Sequence, residues 1–245
     1  MTHDAPPSPV TAPTVVGDLV ARDRRTAAPA LRDDVSDRSY SYHDFVTTTY
    51  KAGNVLRYLG VRDGDGVAVA PDARPEAPLV FYGAAQLAAV TSFSPDADDP
   101  PRATVVGVER EADFELPAGH KLAVYGGPPE RPETTHWEQE VWSENPAVHP
   151  VAVEASAPVL SAADETYTHE GVLDAALSVV EDAGIEPGDD VVVRASLTEA
   201  GAVVAGLLAP VLAGAVVVFP DAETVGDVAV GSGPEERAVD PDGVC

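Results

Sequence analysis

The sequence predicts an α/β fold built from two repeated parallel units, and three observations carry that prediction. The run Leu59-Gly60-Val61-Arg62-Asp63-Gly64-Asp65-Gly66-Val67-Ala68-Val69 returns as Ala183-Gly184-Ile185-Glu186-Pro187-Gly188-Asp189-Asp190-Val191-Val192-Val193. Downstream, Pro95-Asp96-Ala97 returns as Pro220-Asp221-Ala222, so the frame holds with about one residue of slip. In each copy a helix-like segment precedes the glycine and another follows the valine-rich run. Strand–helix–strand with so long a connection implies parallel pairing and a right-handed crossover. The chain has 245 residues, 44% of them hydrophobic. A chain of this size buries roughly 70% of its unfolded surface. One large core is therefore possible without covalent staples.

The elements follow in order. Residues 1–13, rich in proline, read as a flexible arm. Ser41 can cap a helix whose third residue, Asp44, is acidic. Phe45, Ala52, Val55, Leu56 and Leu59 then fall on one helical face. Gly60 ends that helix, Gly64-Asp65 turns the chain, and Val67–Ala70 is a short buried strand. A second helix spans about Glu76–Ala88, and a strand lies near Val90–Ser94. The middle, about Pro100–Pro158, offers strands at Thr104–Val108 and Lys121–Tyr125, then Pro-rich linkers around Trp137 and Trp142. The second unit opens with Thr168 as cap, a helix to about Asp182 and a turn at Gly188-Asp189. Strand Val191–Arg194, a helix and strand Ala215–Phe219 complete it. The repeat units are thus about 40–97 and 166–222 within a domain of 14–225, and 226–245 reads as a loose acidic tail.

Charge excludes several functions. Asp and Glu number 41 against 15 Lys and Arg, a formal net charge of −26. No basic stripe exists to neutralise phosphates, so nucleic acid is excluded as a partner, and anionic membrane surfaces are disfavoured. The acids are scattered along a chain too hydrophobic to be a disordered polyanion. Lysine occurs only at Lys51 and Lys121. A folded protein with this self-repulsion needs screening, and at about 1 M salt the Debye length is roughly 3 Å. The reading is a cytoplasmic protein of a high-salt cytosol. Residues 1–13 carry neither a basic n-region nor an apolar h-region, so no signal peptide is read there.

Ala200–Phe219 runs 20 residues without a polar side chain, long enough for a membrane span. Gly201, Gly206, Pro210 and Gly214 interrupt it, however, and no basic cluster flanks it. A buried helix ending near Gly214, followed by a buried strand, is the better reading.

Site chemistry is sparse. The lone Cys245 excludes disulfides and cysteine-rich zinc sites. His3, His43, His120, His136, His149 and His169 show no metal-ligand spacing. His169, beside Thr168 at a helix start, is the one to watch, with packing near the cap the simpler role. There is no G-x-S-x-G elbow, and Gly64-Asp65-Gly66 is a turn rather than a dinucleotide fingerprint. Trp137 and Trp142 either line a groove or anchor a linker on the core.

The order Ser41-Tyr42-His43-Asp44-Phe45, then Leu59–Val69, then Leu87-Ala88-Ala89-Val90 up to Pro95, resembles the opening of adenylate-forming enzymes. These are the AMP-dependent acyl-CoA synthetases, adenylation domains and luciferases. Gly184–Val193 with Leu207–Ala215 resembles a later stretch of the same large domain, whose two similar α/β subdomains match the repeat. The resemblance covers about Val15–Asp221, less than half of a full family member, and implies a truncated N-terminal domain. It also implies ATP with magnesium, and CoA, as the family's cofactors. The family places a Gly/Ser/Thr-rich phosphate loop with a lysine just before a Thr-His pair. Here Thr168-His169 stands, preceded by Pro158-Val159-Leu160-Ser161-Ala162-Ala163-Asp164-Glu165-Thr166-Tyr167. No glycine lies between Gly127 and Gly171, so the backbone nest that receives a triphosphate is not encoded. No lysine follows Lys121 to serve the loop or the family's later catalytic position.

The sequence therefore yields no catalytic residue and no metal ligand. Thr168 and His169 are the only weak cofactor-binding candidates, and no bound cofactor is expected. The reading is a degenerate ligase-like protein, non-catalytic alone, acting as a binding or regulatory partner. The alternatives are a ligase component completed by another chain and a small acyl or CoA binder. Missing subdomains should leave apolar faces uncovered, which favours self-association or a ligase-like partner.

Overall fold

The computed structural model describes residues 5–96 and 98–245. The fold begins with an antiparallel hairpin, β1 (Pro29–Asp33) and β2 (Arg38–Ser41), which runs directly into α1 (Tyr42–Tyr58). Ser41 caps α1 as the sequence predicts: its Oγ accepts from the Asp44 N–H at 3.1 Å and donates to the Asp44 carboxylate at 2.6 Å. Strand β3 (Gly66–Val69), helix α2 (Glu76–Ala85) and strand β4 (Val90–Ser92) follow. Helix α2 stops short of its predicted end because the chain breaks from helix there, Ala88 taking a φ of 56°. Strands β5 (Ala103–Gly107) and β6 (Lys121–Tyr125) lie within a residue of their predicted bounds.

The region around the tryptophans is not mere linker. Strand β7 (Thr135–His136) leads into a short helix, α3 (Trp137–Ser143), anchored by the buried Trp137. A second hairpin, β8 (Pro158–Ala162) and β9 (Glu165–Thr168), then runs into α4 (His169–Ala183). Gly184 ends α4 in the left-handed conformation, as its place in the repeat predicts. After β10 (Asp190–Val193), the apolar run forms α5 (Ala200–Val203), a π-helical turn (Val204–Leu208) and α6 (Ala209–Ala213), then β11 (Val216–Phe219). Pro210 cannot donate to the turn before it, and the helix widens there. Broken in this way, the run is a buried helix plus strand. Among the described residues no helix is long and apolar enough to cross a membrane.

Two expected loose ends are built into the fold. Over 226–245, β12 (Val228–Val230) and β13 (Arg237–Val239) join the parallel sheet. Three fully buried residues, Val228, Ala229 and Val230, outweigh the glycines and acids around them. Residues 1–4 of the expected flexible arm lie outside the described residues. From Ala5 onward the arm is docked: the Val10 N–H donates to the Leu212 carbonyl at 2.9 Å, and Arg24 Nη1 donates to the Ser8 carbonyl at 2.8 Å. The first repeat's predicted limit at 97 also falls outside the described residues.

The sheets show how deep the repeat runs. One has the order β13-β12-β10-β11-β1-β2 and the other β7-β6-β5-β3-β4-β8-β9. Every pairing is parallel except within the two hairpins. Position by position, β3, β4, β5 and β6 of the first unit match β10, β11, β12 and β13 of the second. The hairpins are exchanged: β1 pairs with β11 of the second unit, and β8 pairs with β4 of the first. Both carry the same irregularity, after Pro29 and after Pro158. The units are therefore interlocked rather than set side by side, and the repeat is longer than the sequence suggests.

Buried hydroxyls tie the units together. Tyr82 of α2 donates to the Leu207 carbonyl at 2.8 Å, and Tyr42 of α1 donates to the Ala215 carbonyl at 2.7 Å. The second face of the sheet that holds β10 and β11 is covered too, Val192, Val216 and Val218 being buried.

Helices α1 and α2 cross at Gly53 and Gly83. A Cβ on Gly83 would stand 2.7 Å from the Gly53 nitrogen and 3.0 Å from the Ala52 Cβ. Gly83→Ala gains about 1 kcal/mol of helix propensity but must push two backbones apart. The expected net loss is about 2 kcal/mol, read as a lower urea midpoint in molar KCl; an unchanged or higher midpoint would contradict this packing.

Candidate functional site

Thr168 and His169 are both committed to structure. Thr168 caps α4, its Oγ1 accepting from the Gly171 N–H at 3.2 Å. His169 is fully buried, and its Nδ1 accepts from the Val16 N–H at 3.1 Å, satisfying the first amide of the 3-10 turn Val16–Val20. Accepting at Nδ1 places the imidazole proton on Nε2. Burial lowers its pKa to about 4, with Asp18 pulling weakly the other way.

The ten residues ahead of Thr168, where the resemblance places a phosphate loop, form the β8–β9 hairpin. Ala162 pairs with Glu165, so the turn consists of Ala163 and Asp164 alone. Both occupy the left-handed region, with φ of 50° and 66°. Two central residues at positive φ are what a tight hairpin of two-residue loop requires. The backbone here closes on its own ladder instead of spreading N–H groups around an anion, and Asp164 adds negative charge.

In parallel α/β sheets ligands usually bind beyond the carboxyl ends of the strands. A cavity of about 310 Å³ at that edge is lined by Asp33, Val35, Asp72, Ala73, Arg74 and Glu109. Asp33 is held by the Val35 and Ser36 N–H groups, and Asp72 accepts from the Tyr125 hydroxyl at 2.7 Å. That hydrogen bond follows burial as the second cause raising the Tyr125 pKa. Three carboxylates against one guanidinium make this edge hostile to a polyphosphate.

A second cavity, about 400 Å³, lies among β2, α1, α2 and α3. Its floor is Glu76, 2% exposed at the start of α2, with Oε1 accepting from Arg38 Nη1 at 2.8 Å. Arg38 Nη2 donates to the Tyr40 hydroxyl at 2.7 Å. Leu79, Val141 and Trp137 supply apolar walls, and Trp142, 86% exposed, stands at the rim. The two tryptophans thus combine the roles the sequence left open: both line the cavity, and the buried Trp137 also anchors α3 on the core. Arg38, Tyr40 and Glu76 escaped sequence reasoning, because nothing local joins them to the tryptophans.

The remaining histidines are scattered. His149 is buried against Gly53 and stacks on Tyr50 with ring centroids 6.0 Å apart. Burial, then the nearby Arg57, lowers its pKa. His120 Nδ1 lies 2.7 Å from the Pro101 carbonyl. His3 lies outside the described residues. Among the described residues no group of three or more His, Cys, Asp or Glu side chains is placed to hold a metal ion.

No protein-family model and no curated protein sequence matches the chain. Solved structures do. The chain superposes on the anthranilate CoA ligase AuaEII, solved with anthranoyl-AMP, with a TM-score of 0.74 and 19% identity, covering 89% of this chain and 50% of that one. A benzoate CoA ligase from Burkholderia xenovorans LB400 gives 0.72 and 20%, covering 88% and 49%. The N-terminal domain of FACL13 from Mycobacterium tuberculosis gives 0.68 and 16%, covering 84% and 57%. The chain thus spans about half the length of the ligases it resembles. Its two interlocked sheets are the fold of the N-terminal part of adenylate-forming acyl- and aryl-CoA ligases.

Proposed function

We propose that this chain is a ligase-fold protein that does not itself form acyl-adenylates and serves as a binding or regulatory partner. The observation that carries this reading is the two-residue turn Ala163-Asp164, standing where the fold's nucleotide loop is expected. The acidic strand edge around Asp33, Asp72 and Glu109 supports it. So does the local engagement of Thr168 and His169, the only side chains the resemblance offered for a nucleotide. Fold alone does not secure chemistry. The net charge of −26 supports a place of action in concentrated salt.

ATP–pyrophosphate exchange by the purified chain in molar KCl tests the proposal. With benzoate, anthranilate and short aliphatic acids, exchange is expected to stay at the level of a no-enzyme control. Acid-dependent exchange above that level would overturn the reading.

A further inference from the structure

The cavity floored by Glu76 lies apart from the β8–β9 turn and the acidic strand edge, and it holds buried acceptors without partners. Glu76 Oε1 is paired with Arg38, while its Oε2 is buried without a partner. Glu138 repeats the pattern: Oε1 accepts from the Gly126 N–H at 2.6 Å, and Oε2 has no hydrogen-bond donor, the His136 Nε2 being 3.5 Å away. The Thr47 hydroxyl is a third buried group without a partner. Two of these three are carboxylate oxygens, which only accept at neutral pH, and the hydroxyl can accept as well.

The cationic side chains of the lining are already occupied. Arg38 is spent on Glu76 and Tyr40, and Lys51 Nζ donates to the Trp142 carbonyl at 3.3 Å. Asp44 is turned to its cap partner Ser41. Leu79, Val141, Tyr40, Trp137 and Trp142 complete the lining around the free acceptors. Buried acceptors beside aromatic rings suit a positively charged N–H donor carried on an apolar body. A hydrated metal ion would waste the apolar walls, and an anion would meet Glu76 and Glu138. A volume of about 400 Å³ accommodates a small organic molecule.

We propose that this cavity binds a small organic cation, an ammonium head directed at Glu76 and Glu138 with an aromatic or aliphatic body against Trp137 and Trp142. The strand-edge pocket differs in having its buried carboxylate, Asp33, already satisfied by the Val35 and Ser36 N–H groups.

The molecule carries its own reporter, since Trp137 and Trp142 are its only tryptophans and both line the cavity. Intrinsic fluorescence is titrated in molar KCl with phenethylammonium, its neutral analogue 2-phenylethanol and its anionic analogue 3-phenylpropionate. Saturable quenching is expected with the ammonium, about tenfold weaker binding with the alcohol, and none with the acid. Trp142→Ala keeps Trp137 as reporter and should weaken ammonium binding about fivefold, consistent with loss of one aromatic face. Glu138→Gln should weaken it to a similar degree. Glu76→Gln should weaken it at least about tenfold, with far-UV circular dichroism confirming the fold. Equal responses to all three probes would reduce the cavity to an apolar crevice and overturn the proposal. So would the absence of saturation up to tens of millimolar, or wild-type affinity in folded Glu138→Gln and Glu76→Gln.

Discussion

Dilution from about 3 M to about 0.1 M KCl is expected to unfold this protein, with its secondary structure returning when salt is restored. With 41 acidic and 15 basic side chains, most carboxylates have no cation to pair with. The best-buried pairs are arginine-based: Arg194 with Glu235 at 2.6 Å, Arg38 with Glu76 at 2.8 Å, Arg131 with Glu111 at 3.3 Å. Salt screens such pairs little, but it screens the exposed carboxylates strongly. Their mutual repulsion acts over about 10 Å at 0.1 M and about 3 Å at 1 M. The unfolded chain spreads the same charges apart, so weak screening penalises the folded state. Against a domain stability of about 5–15 kcal/mol, this penalty is expected to be decisive. Circular dichroism against KCl concentration gives the answer, and a flat stability from 0.1 to 3 M would refute the salt-adapted reading.

The second large effect is acid destabilisation through His169. Its folded pKa lies near 4, against an ordinary value of 6.5, because burial excludes the charged form. The fold holds neutral imidazole, so its contribution is complete above about pH 6.5. As pH falls from about 6.5 to about 4, the unfolded chain takes up a proton that the folded chain refuses. Each tenfold difference in proton affinity is about 1.4 kcal/mol, so the loss accumulated by pH 4 is about 3 kcal/mol. Carboxylate repulsion relaxes in the same window and acts in the opposite sense, so the comparison must be between variants. His169→Asn places an amide oxygen where Nδ1 accepts from Val16 and cannot titrate. Its urea midpoint is expected to fall less steeply between pH 6.5 and 4 than that of the wild type. Parallel slopes would remove His169 as the cause.

How much of this was legible depended on whether the signal was local. Helices α1 and α4 could be read because Ser41 and Thr168 cap them and their apolar residues recur on one face. Strands β3 and β10 stood out as valine-rich runs after a glycine turn. The hairpins did not, because β2 and β9 are Arg-Ser-Tyr-Ser and Glu-Thr-Tyr-Thr, polar strands with little alternation. Strands β12 and β13 have three residues each, too short for a periodic signal. Their role emerges only when the sheet supplies β10 as a neighbour. At the cavity, the tryptophan pair was visible as a pair. Arg38 and Glu76 join it across elements far apart in the chain, a proximity that no spacing rule encodes.

The exchange of hairpins sets the order in which this molecule can be made. Leu31 must align with Val217, yet a ribosome releases it while most of the chain, including that partner, is still unmade. The Leu160–Thr91 pairing, in contrast, is available once the second hairpin emerges. One sheet can therefore gain its exchanged strands early in synthesis, while the other stays open at β1 until β11 has been made. Contacts so distant in sequence close late and slowly. The rate of reaching the native state should accordingly follow the arrival of β11, making Val216–Phe219 the gatekeeper for Pro29–Asp33.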